Sequence, residues 1–151
     1  MSEVWRPSVT VAAVIERDGK FLFVEEIAHG LRVLNQPAGH LDPGESLIEA
    51  CVRETLEETA YRLEPAALVG IYRWRYEPAD ETFLRVAFAG RASGPDPARK
   101  LDKEIVTTHW FTPAELAARR AMHRSPLVER CVADYLAGAR YPLGVLSREF
   151  A

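Results

Sequence analysis

Long apolar runs are missing from this 151-residue sequence, and we expect no secretory leader. No uninterrupted apolar stretch approaches the roughly 18 residues of a membrane-spanning helix, and runs such as residues 11–15 have the length of a strand. Residues 1–7 contain neither the basic nor the apolar region of a signal peptide. We therefore expect a cytoplasmic protein with no membrane partner.

Cysteine and excess basic charge are also scarce. Cys51 and Cys131 are the only cysteines, and they are far apart, without Cys-x-x-Cys or histidine-ligand spacing. We expect both to be reduced, buried and packed as small hydrophobic residues. The 19 Lys and Arg against 22 Asp and Glu give a formal net charge of -3. This balance argues against a nucleic-acid partner, since dedicated nucleic-acid binders usually carry a strongly basic face.

The order of hydrophobic patterns predicts a single α/β domain over residues 1–151. This length is enough to bury a core without disulfides or a structural metal. Strands on both sides of a helix, with further helices behind, favour a mixed β-sheet between helical layers. A loop is expected at 35–45. Strands are predicted at 9–16, 21–26, 31–34, 68–76, 82–89 and 105–111.

Capping residues mark the predicted helices. Ser46 and Glu49 have capping-box spacing, and the first helix continues to about Thr59. The segment 112–115 has the N-cap threonine, first-turn proline and capping glutamate of a short helix. A C-terminal helix is predicted at about 126–138.

Three glutamates lie close together on the first predicted helix. At about 100° per residue, Glu54, Glu57 and Glu58 fall within one arc of about 100°, next to the arc assigned to the core. Like charges at this spacing repel each other, and partial burial increases the cost. Clustered carboxylates are the ligands preferred by Mg²⁺ or Mn²⁺, which in turn bind phosphate oxygens. A solvated acidic face is the alternative, and the helix alone leaves both interpretations open.

The spacing around this helix matches a longer motif. Gly39, Glu45 and the segment 53–58, Arg-Glu-Thr-Leu-Glu-Glu, reproduce the fixed charged and leading glycine positions of G-x5-E-x7-R-E-U-x-E-E-x-G-U. Residues 39–61 therefore resemble the Nudix box. Chance agreement at all six positions, counted over every possible starting point in the chain, has a probability of roughly 10⁻⁵ at ordinary residue frequencies.

Two positions depart from the motif. Thr55 stands where an aliphatic residue is usual, and its hydroxyl is expected to bond to a carbonyl one turn back. Ala60 stands where the motif has its second glycine. In a left-handed helix terminus, alanine costs about 1 kcal/mol relative to glycine. Neither position supplies a ligand, so the departures concern local backbone geometry more than chemistry.

The resemblance covers most of the chain. Segments 9–12, 35–41, 83–85, 124–128 and 140–143 are similar to those of NudJ-type Nudix phosphatases. The resemblance implies an α/β/α Nudix sandwich and Mg²⁺-dependent cleavage of the phosphoanhydride of nucleoside di- and triphosphates by a metal-activated water. It also implies activity on hydroxymethylpyrimidine pyrophosphate, with orthophosphate as the product.

The same resemblance implies roles for individual residues. Arg53 orients the glutamates through an ion pair, and Glu45 stabilises the loop or a second metal. Either Glu57 or Glu58 acts as the base. Glu104 is a further candidate for the base, with a solvated turn residue as the alternative. The implied metal ligands are the carbonyl of Gly39 and the carboxylates of Glu54, Glu57 and Glu58.

Aromatic and basic residues alternate along one predicted strand. Alternation places Tyr72, Trp74 and Tyr76 on one face and Arg73 with Arg75 on the other. One interpretation is a substrate ring stacked on Trp74 with an arginine on phosphate. The other is an aromatic cover over the sheet. The candidate substrate-binding residues are Gln36, His40, Arg73, Trp74 and Arg85.

Three functional interpretations follow from the sequence. The first is the metal-dependent phosphohydrolase of small-molecule diphosphates. The second is a pyrophosphatase of dinucleotides or ADP-ribose, which would leave two organic phosphates. The third is a non-catalytic nucleotide-binding module, although such modules usually lack a box glutamate and none is lacking here. The preferred substrate, the number of metal ions and the choice between monomer and homodimer stay open.

Overall fold

The strands and helices follow one another as the hydrophobic patterns predict, with additions. The computed structural model describes residues 2–146. Its helices are Leu47–Thr59 (α1), Pro113–Ala117 (α2) and Leu127–Leu136 (α3). Its strands are Ser8–Val14 (β1), Glu16–Arg17 (β2), Lys20–Ala28 (β3), Leu31–Asn35 (β4), Ala38–His40 (β5), Arg62–Tyr76 (β6), Glu81–Ser93 (β7) and Ile105–Phe111 (β8).

Two sheets form the centre of the molecule. The first has the order β5-β1-β7-β6, and it is mixed because β1 and β7 run parallel while the other neighbours are antiparallel. The second sheet is antiparallel, with β3 paired to β2, β4 and β8. The predicted mixed sheet is confirmed, and the antiparallel sheet is an addition that the sequence patterns did not separate from it.

Strand β1 shows how the mixed sheet is buried on both faces. Val11 and Ala13 pack in one core cluster with residues of α1, whereas Ala12 and Val14 pack in a second cluster with residues of α3. Successive side chains of a strand point to opposite faces. A sheet covered by a helix on each face therefore needs the continuous apolar run seen in β1. The α/β/α sandwich is confirmed.

The predicted loop at 35–45 contains a short strand. Strand β5 pairs with β1, with Val11 opposite Gly39. Three residues are too few to show a hydrophobic period, and so the pattern of the sequence could not reveal this strand. Strand β6 begins at Arg62 instead of residue 68, and its extension has a register shift between Pro65 and Ala67. Proline lacks a backbone N–H, so it is tolerated at such an irregularity on an edge strand.

The two departures from the Nudix box have the predicted backbone consequences. The Thr55 hydroxyl donates a hydrogen bond of 2.8 Å to the carbonyl of Cys51, one turn back. Ala60 ends α1 in the left-handed region with φ of 62°. Its N–H bonds to the carbonyl of Leu56. Helix α1 thus ends with the geometry of the motif, although alanine replaces glycine.

Among residues 2–146, every helix is too short or too polar to cross a membrane.

The start of α1 depends on the Ser46 capping box. The Ser46 hydroxyl accepts the N–H of Glu49, and the Glu49 carboxylate accepts the N–H of Ser46. We predict that Ser46→Ala lowers the free energy of unfolding by about 1 kcal/mol because one helix N–H loses its partner. Urea unfolding measures this change. Ser46→Asp, which keeps an N-cap acceptor, should stay close to the unsubstituted protein, and equal stability of Ser46→Ala would contradict the role of the cap.

Candidate active site

A cavity of about 380 Å³ lies where both sheets, α1 and the start of α3 meet. Its size is within the usual range for a small-molecule site. Residues of the Nudix box form one part of its wall, including Gly39, Glu54 and Glu58. Residues from β1, β3, β4, β6, β7, the loop before β8 and the start of α3 with the segment before it also line the cavity.

The guanidinium of Arg53 connects the box carboxylates. Its Nη1 donates to Glu54 at 2.8 Å and to Glu57 at 3.2 Å. Its Nε and Nη2 donate to the two oxygens of Glu45 at 2.9 Å and 2.6 Å, and Nη2 also donates to the carbonyl of His40. Hydrogen bonding from Arg53 lowers the pKa of the Glu45 carboxyl. The planar guanidinium therefore ties the loop before α1 to the acidic face of the helix.

Glycine at position 39 leaves the space that the Glu54 carboxylate occupies against the backbone. A Cβ on Gly39 would lie 2.1 Å from Cδ of Glu54, which is far inside van der Waals contact. The box glycine thus permits the close approach of strand β5 to helix α1. Burial raises the pKa of the Glu54 carboxyl, and the hydrogen bond from Arg53 opposes this effect.

Glu58 is more deeply buried than the other box glutamates. It is 7% exposed, and its carboxylate accepts the N–H of Ala38 at 2.9 Å. Burial raises the pKa of Glu58 to about 9, and the charges of Glu26, Glu54 and Asp102 act in the same direction. Such a carboxylate is costly to ionise unless a positive charge is bound nearby.

Asp102 completes an acidic cluster that the sequence analysis did not include. Carboxylate oxygens of Glu54, Glu57 and Asp102 lie within 4.8 Å of one another. The backbone N–H of Asp102 donates to the carbonyl of Glu57 at 3.0 Å, which fixes the loop beside the helix. The candidate before the last strand was Glu104, which also lines the cavity. The acidic segment pointed to this loop, but only the fold selects Asp102 for the cluster.

The acidic cluster has the chemistry of a site for a divalent cation. Its donors are carboxylate oxygens, and the carbonyl of Gly39 belongs to the residue against which Glu54 packs. Several negative groups held this close repel each other unless a cation compensates them. Hard oxygen ligands of this kind suit Mg²⁺ or Mn²⁺.

A buried arginine hydrogen-bonds to two side chains at or next to the cavity wall. Arg85 is 6% exposed, and it donates to Oε1 of Gln36 and Oδ1 of Asn35, both at 2.8 Å. The amide nitrogen of Gln36 donates to the carbonyl of Val128 at 2.7 Å. Gln36 is 1% exposed and has both amide groups engaged. Gln36 therefore hydrogen-bonds to Arg85 and to the backbone next to the cavity, whereas the sequence led us to expect a contact with substrate.

Strand β6 contains two candidate substrate-binding residues, Arg73 and Trp74, and only Trp74 lines the cavity. Trp74 lines the cavity and stacks on Phe83, with ring centroids 5.7 Å apart. His40 also lines the cavity, and its ring is 6.5 Å from Phe83. Arg73 lies on the other face of β6, which is exposed. Arg73 is not among the residues that line the cavity, and its expected contact with substrate stays a prediction.

Two charged cavity residues escaped the sequence analysis. Glu26 is 5% exposed and forms an ion pair with Arg124, which lies 98 positions later in the chain. Glu26 follows another glutamate in the apolar strand β3, and alternation on the strand turns the two carboxylates to opposite faces. A charged residue within an otherwise apolar strand is the sequence signal that could have indicated Glu26.

Comparison with known proteins agrees with this geometry. The sequence model of the NUDIX domain family matches residues 4–131. Phosphatase NudJ from Escherichia coli and from Shigella boydii are each 38% identical over 143 residues, which cover 95% of this chain and 92% of the relative. A NUDIX hydrolase from Nitrosomonas europaea superimposes with a TM-score of 0.93 at 54% identity, covering 95% of this chain and 98% of that one. This chain belongs to the Nudix family and is a Nudix hydrolase.

Proposed function

We propose that this hydrolase cleaves the phosphoanhydride of nucleoside di- and triphosphates and of hydroxymethylpyrimidine pyrophosphate, using Mg²⁺ or Mn²⁺ and releasing orthophosphate. The observation that carries the proposal is the Arg53 hydrogen-bond network, which holds Glu45, Glu54 and Glu57 together and reaches the cavity through Glu54. Similarity to Phosphatase NudJ over 95% of the chain supports orthophosphate as the product.

Carboxylates and one backbone carbonyl would hold the cation in this proposal. They are the carboxylates of Glu54, Glu57 and Asp102, with the carbonyl of Gly39. Glu58 lines the same cavity as Gly39 and Glu54 and is proposed as a further ligand. A bound divalent cation supplies charge neutralisation of the phosphate and lowers the pKa of water.

The protein's own groups orient the reaction and accept a proton. Arg53 holds Glu54 and Glu57 in one arrangement, which reduces the reorganisation required when phosphate binds. Glu57 and Glu58 are the candidates for the base. The side chain of Glu57 is 34% exposed, whereas Glu58 is buried beside the Ala38 N–H. Glu104 is a third candidate, since it also lines the cavity.

The proposed partners are small-molecule diphosphates, and the proposed location is the cytoplasm. Cys51 and Cys131 are free and buried. Unpaired thiols suit a reducing compartment.

Products distinguish the proposed reaction from its alternatives. We predict Mg²⁺-dependent release of orthophosphate from GDP, GTP, UTP and hydroxymethylpyrimidine pyrophosphate, and loss of this release in EDTA. Separate assays for orthophosphate and pyrophosphate measure it. ADP-ribose serves as the control, because its cleavage yields two organic phosphates. Pyrophosphate from the triphosphates would contradict the proposed bond, and the absence of any turnover would favour a binding module.

Replacing Glu57 with glutamine, which has nearly the same shape, tests the role of a box glutamate. We predict that Glu57→Gln lowers kcat by about 100-fold or more, because an amide removes both a cation ligand and a candidate base. Steady-state kinetics with GDP and Mg²⁺ measure the change. Glu64→Gln is the matched control, since Glu64 is exposed on β6, lies outside the box and does not line the cavity. Undiminished turnover of Glu57→Gln would exclude the proposed site.

The raised pKa of Glu58 predicts how stability depends on pH without a cation. A carboxyl with a folded pKa of about 9 and an ordinary value of 4.5 binds more protons in the folded state between these values. The cation-free protein should therefore lose stability as the pH rises from 5.5 to 8.5. Carboxyls with a lowered pKa, such as Glu45, titrate below this window.

Urea unfolding in EDTA at both pH values measures this dependence. Glu58→Gln should flatten it, because the amide does not titrate. Addition of Mg²⁺ at pH 8.5 should restore stability to the unsubstituted protein by binding the folded state. A stability that rises with pH over this window, or one that Glu58→Gln leaves unchanged, would contradict the assignment.

A further inference from the structure

The cavity has a second polar set outside the Nudix box. Glu26 of β3 and Asn35 of β4 both line it, with Arg124 and Arg85 as their respective partners. Glu26 is 5% exposed and Asn35 is 4% exposed. The catalytic geometry described above uses neither residue. Buried polar groups that face a cavity are expected to determine which ligand fits there.

The register of β3 and β4 brings these two side chains to the same face. Asn35 is opposite Val24, and Glu26 is opposite Val33. Side chains two positions apart on a strand share a face, so Glu26 and Asn35 form a diagonal pair. Their Cβ atoms are expected to be about 7 Å apart. At this separation, both side chains can reach the same small ring of a ligand.

The donor-only chemistry of arginine fixes which atoms face a ligand. Arg85 can only donate, so the oxygen of Asn35 faces Arg85 and its NH₂ group is left to donate to a ligand. Arg124 likewise occupies Oε1 of Glu26 and leaves Oε2 to accept. The pair therefore presents one fixed acceptor beside one fixed donor.

Aromatic rings form another wall of the same cavity. Trp74 and Phe83 are stacked with an interplanar angle of 21°, and both line the cavity. Flat apolar surface of this kind favours a planar ligand group, which packs by stacking or edge contact. A cavity of about 380 Å³ has room for one such ring together with a linked diphosphate.

We propose that Glu26 and Asn35 select substrates whose heteroaromatic ring carries an exocyclic amino group next to a ring nitrogen. The amino group donates to Glu26, Asn35 donates to the ring nitrogen, and the ring packs on Trp74 and Phe83. The inference rests on the proposed function, because the diphosphate of the same molecule must reach Glu54. An imide ring such as uracil fits less well, since its N–H is flanked by carbonyls that a carboxylate repels.

Deletion of a single amino group tests this selection. CDP and the 5′-diphosphate of pyrimidin-2-one riboside differ only in that group. We expect kcat/KM for CDP to exceed that for the analogue by at least about tenfold, because the analogue leaves a buried carboxylate oxygen without its donor. UDP should also be a poorer substrate than CDP.

Glu26→Gln tests the residue directly. Arg124 retains the side-chain oxygen, so the introduced NH₂ group faces the amino group of CDP, donor against donor. The ratio of kcat/KM values for CDP and the analogue should then fall to about one or below. Glu25→Gln is the matched control on the opposite face of β3, where Glu25 contacts His109 and Arg32. It should keep the original ratio.

Binding of the corresponding 5′-monophosphates, measured by calorimetry, separates this inference from the proposed function. Tighter binding of the compound with the amino group supports the inference even if no phosphate is released. The absence of phosphate release would then overturn only the proposed function. Equal binding and equal kcat/KM for the two rings would overturn the inference. Release of phosphate from both would still support the proposed function. An unchanged ratio in a folded Glu26→Gln protein, checked by thermal melting, would also overturn it.

Discussion

The active site depends on one guanidinium shared among several carboxylates. Arg53 hydrogen-bonds to Glu45, Glu54 and Glu57 and to the carbonyl of His40. Its planar set of donors can satisfy these acceptors in different directions, which the single ammonium of lysine cannot match. One positive charge does not neutralise all the carboxylates in contact with it. The carboxylates are therefore held in one arrangement by Arg53 while the cluster stays negative, which suits a divalent cation.

The mixed sheet determines where this charge can be held. Strand β1 is buried by helices on both faces, and β5 continues its edge with Gly39 opposite Val11. That pairing brings a backbone without a side chain against Glu54 of α1. The apolar core thus fixes the distance between strand and helix, and the glycine allows a carboxylate to occupy the narrow space between them. Packing and electrostatics meet at this one contact.

The sequence predicted those parts of the site whose spacing is local. Arg53 lies eight positions from Glu45 and four from Glu57, so helix geometry and a short loop suffice to bring them together. Capping boxes, the end of α1 and the faces of Trp74 and Arg73 are local in the same sense. Alternation could separate Trp74 from Arg73, but tertiary packing decides which of the two faces meets the cavity.

Long-range pairs explain what sequence patterns could not supply. Glu26 meets Arg124 across 98 positions, and Arg85 meets Asn35 across 50. Strand β5 is too short to have a period, and the two sheets are separated only by pairing. Most of the acidic site comes from the box segment 39–61, with Asp102 added by the fold, whereas the opposite cavity wall combines residues of β3, β4, β6 and β7. A substitution in one of these strands can therefore change the cavity wall while the Arg53 network stays intact.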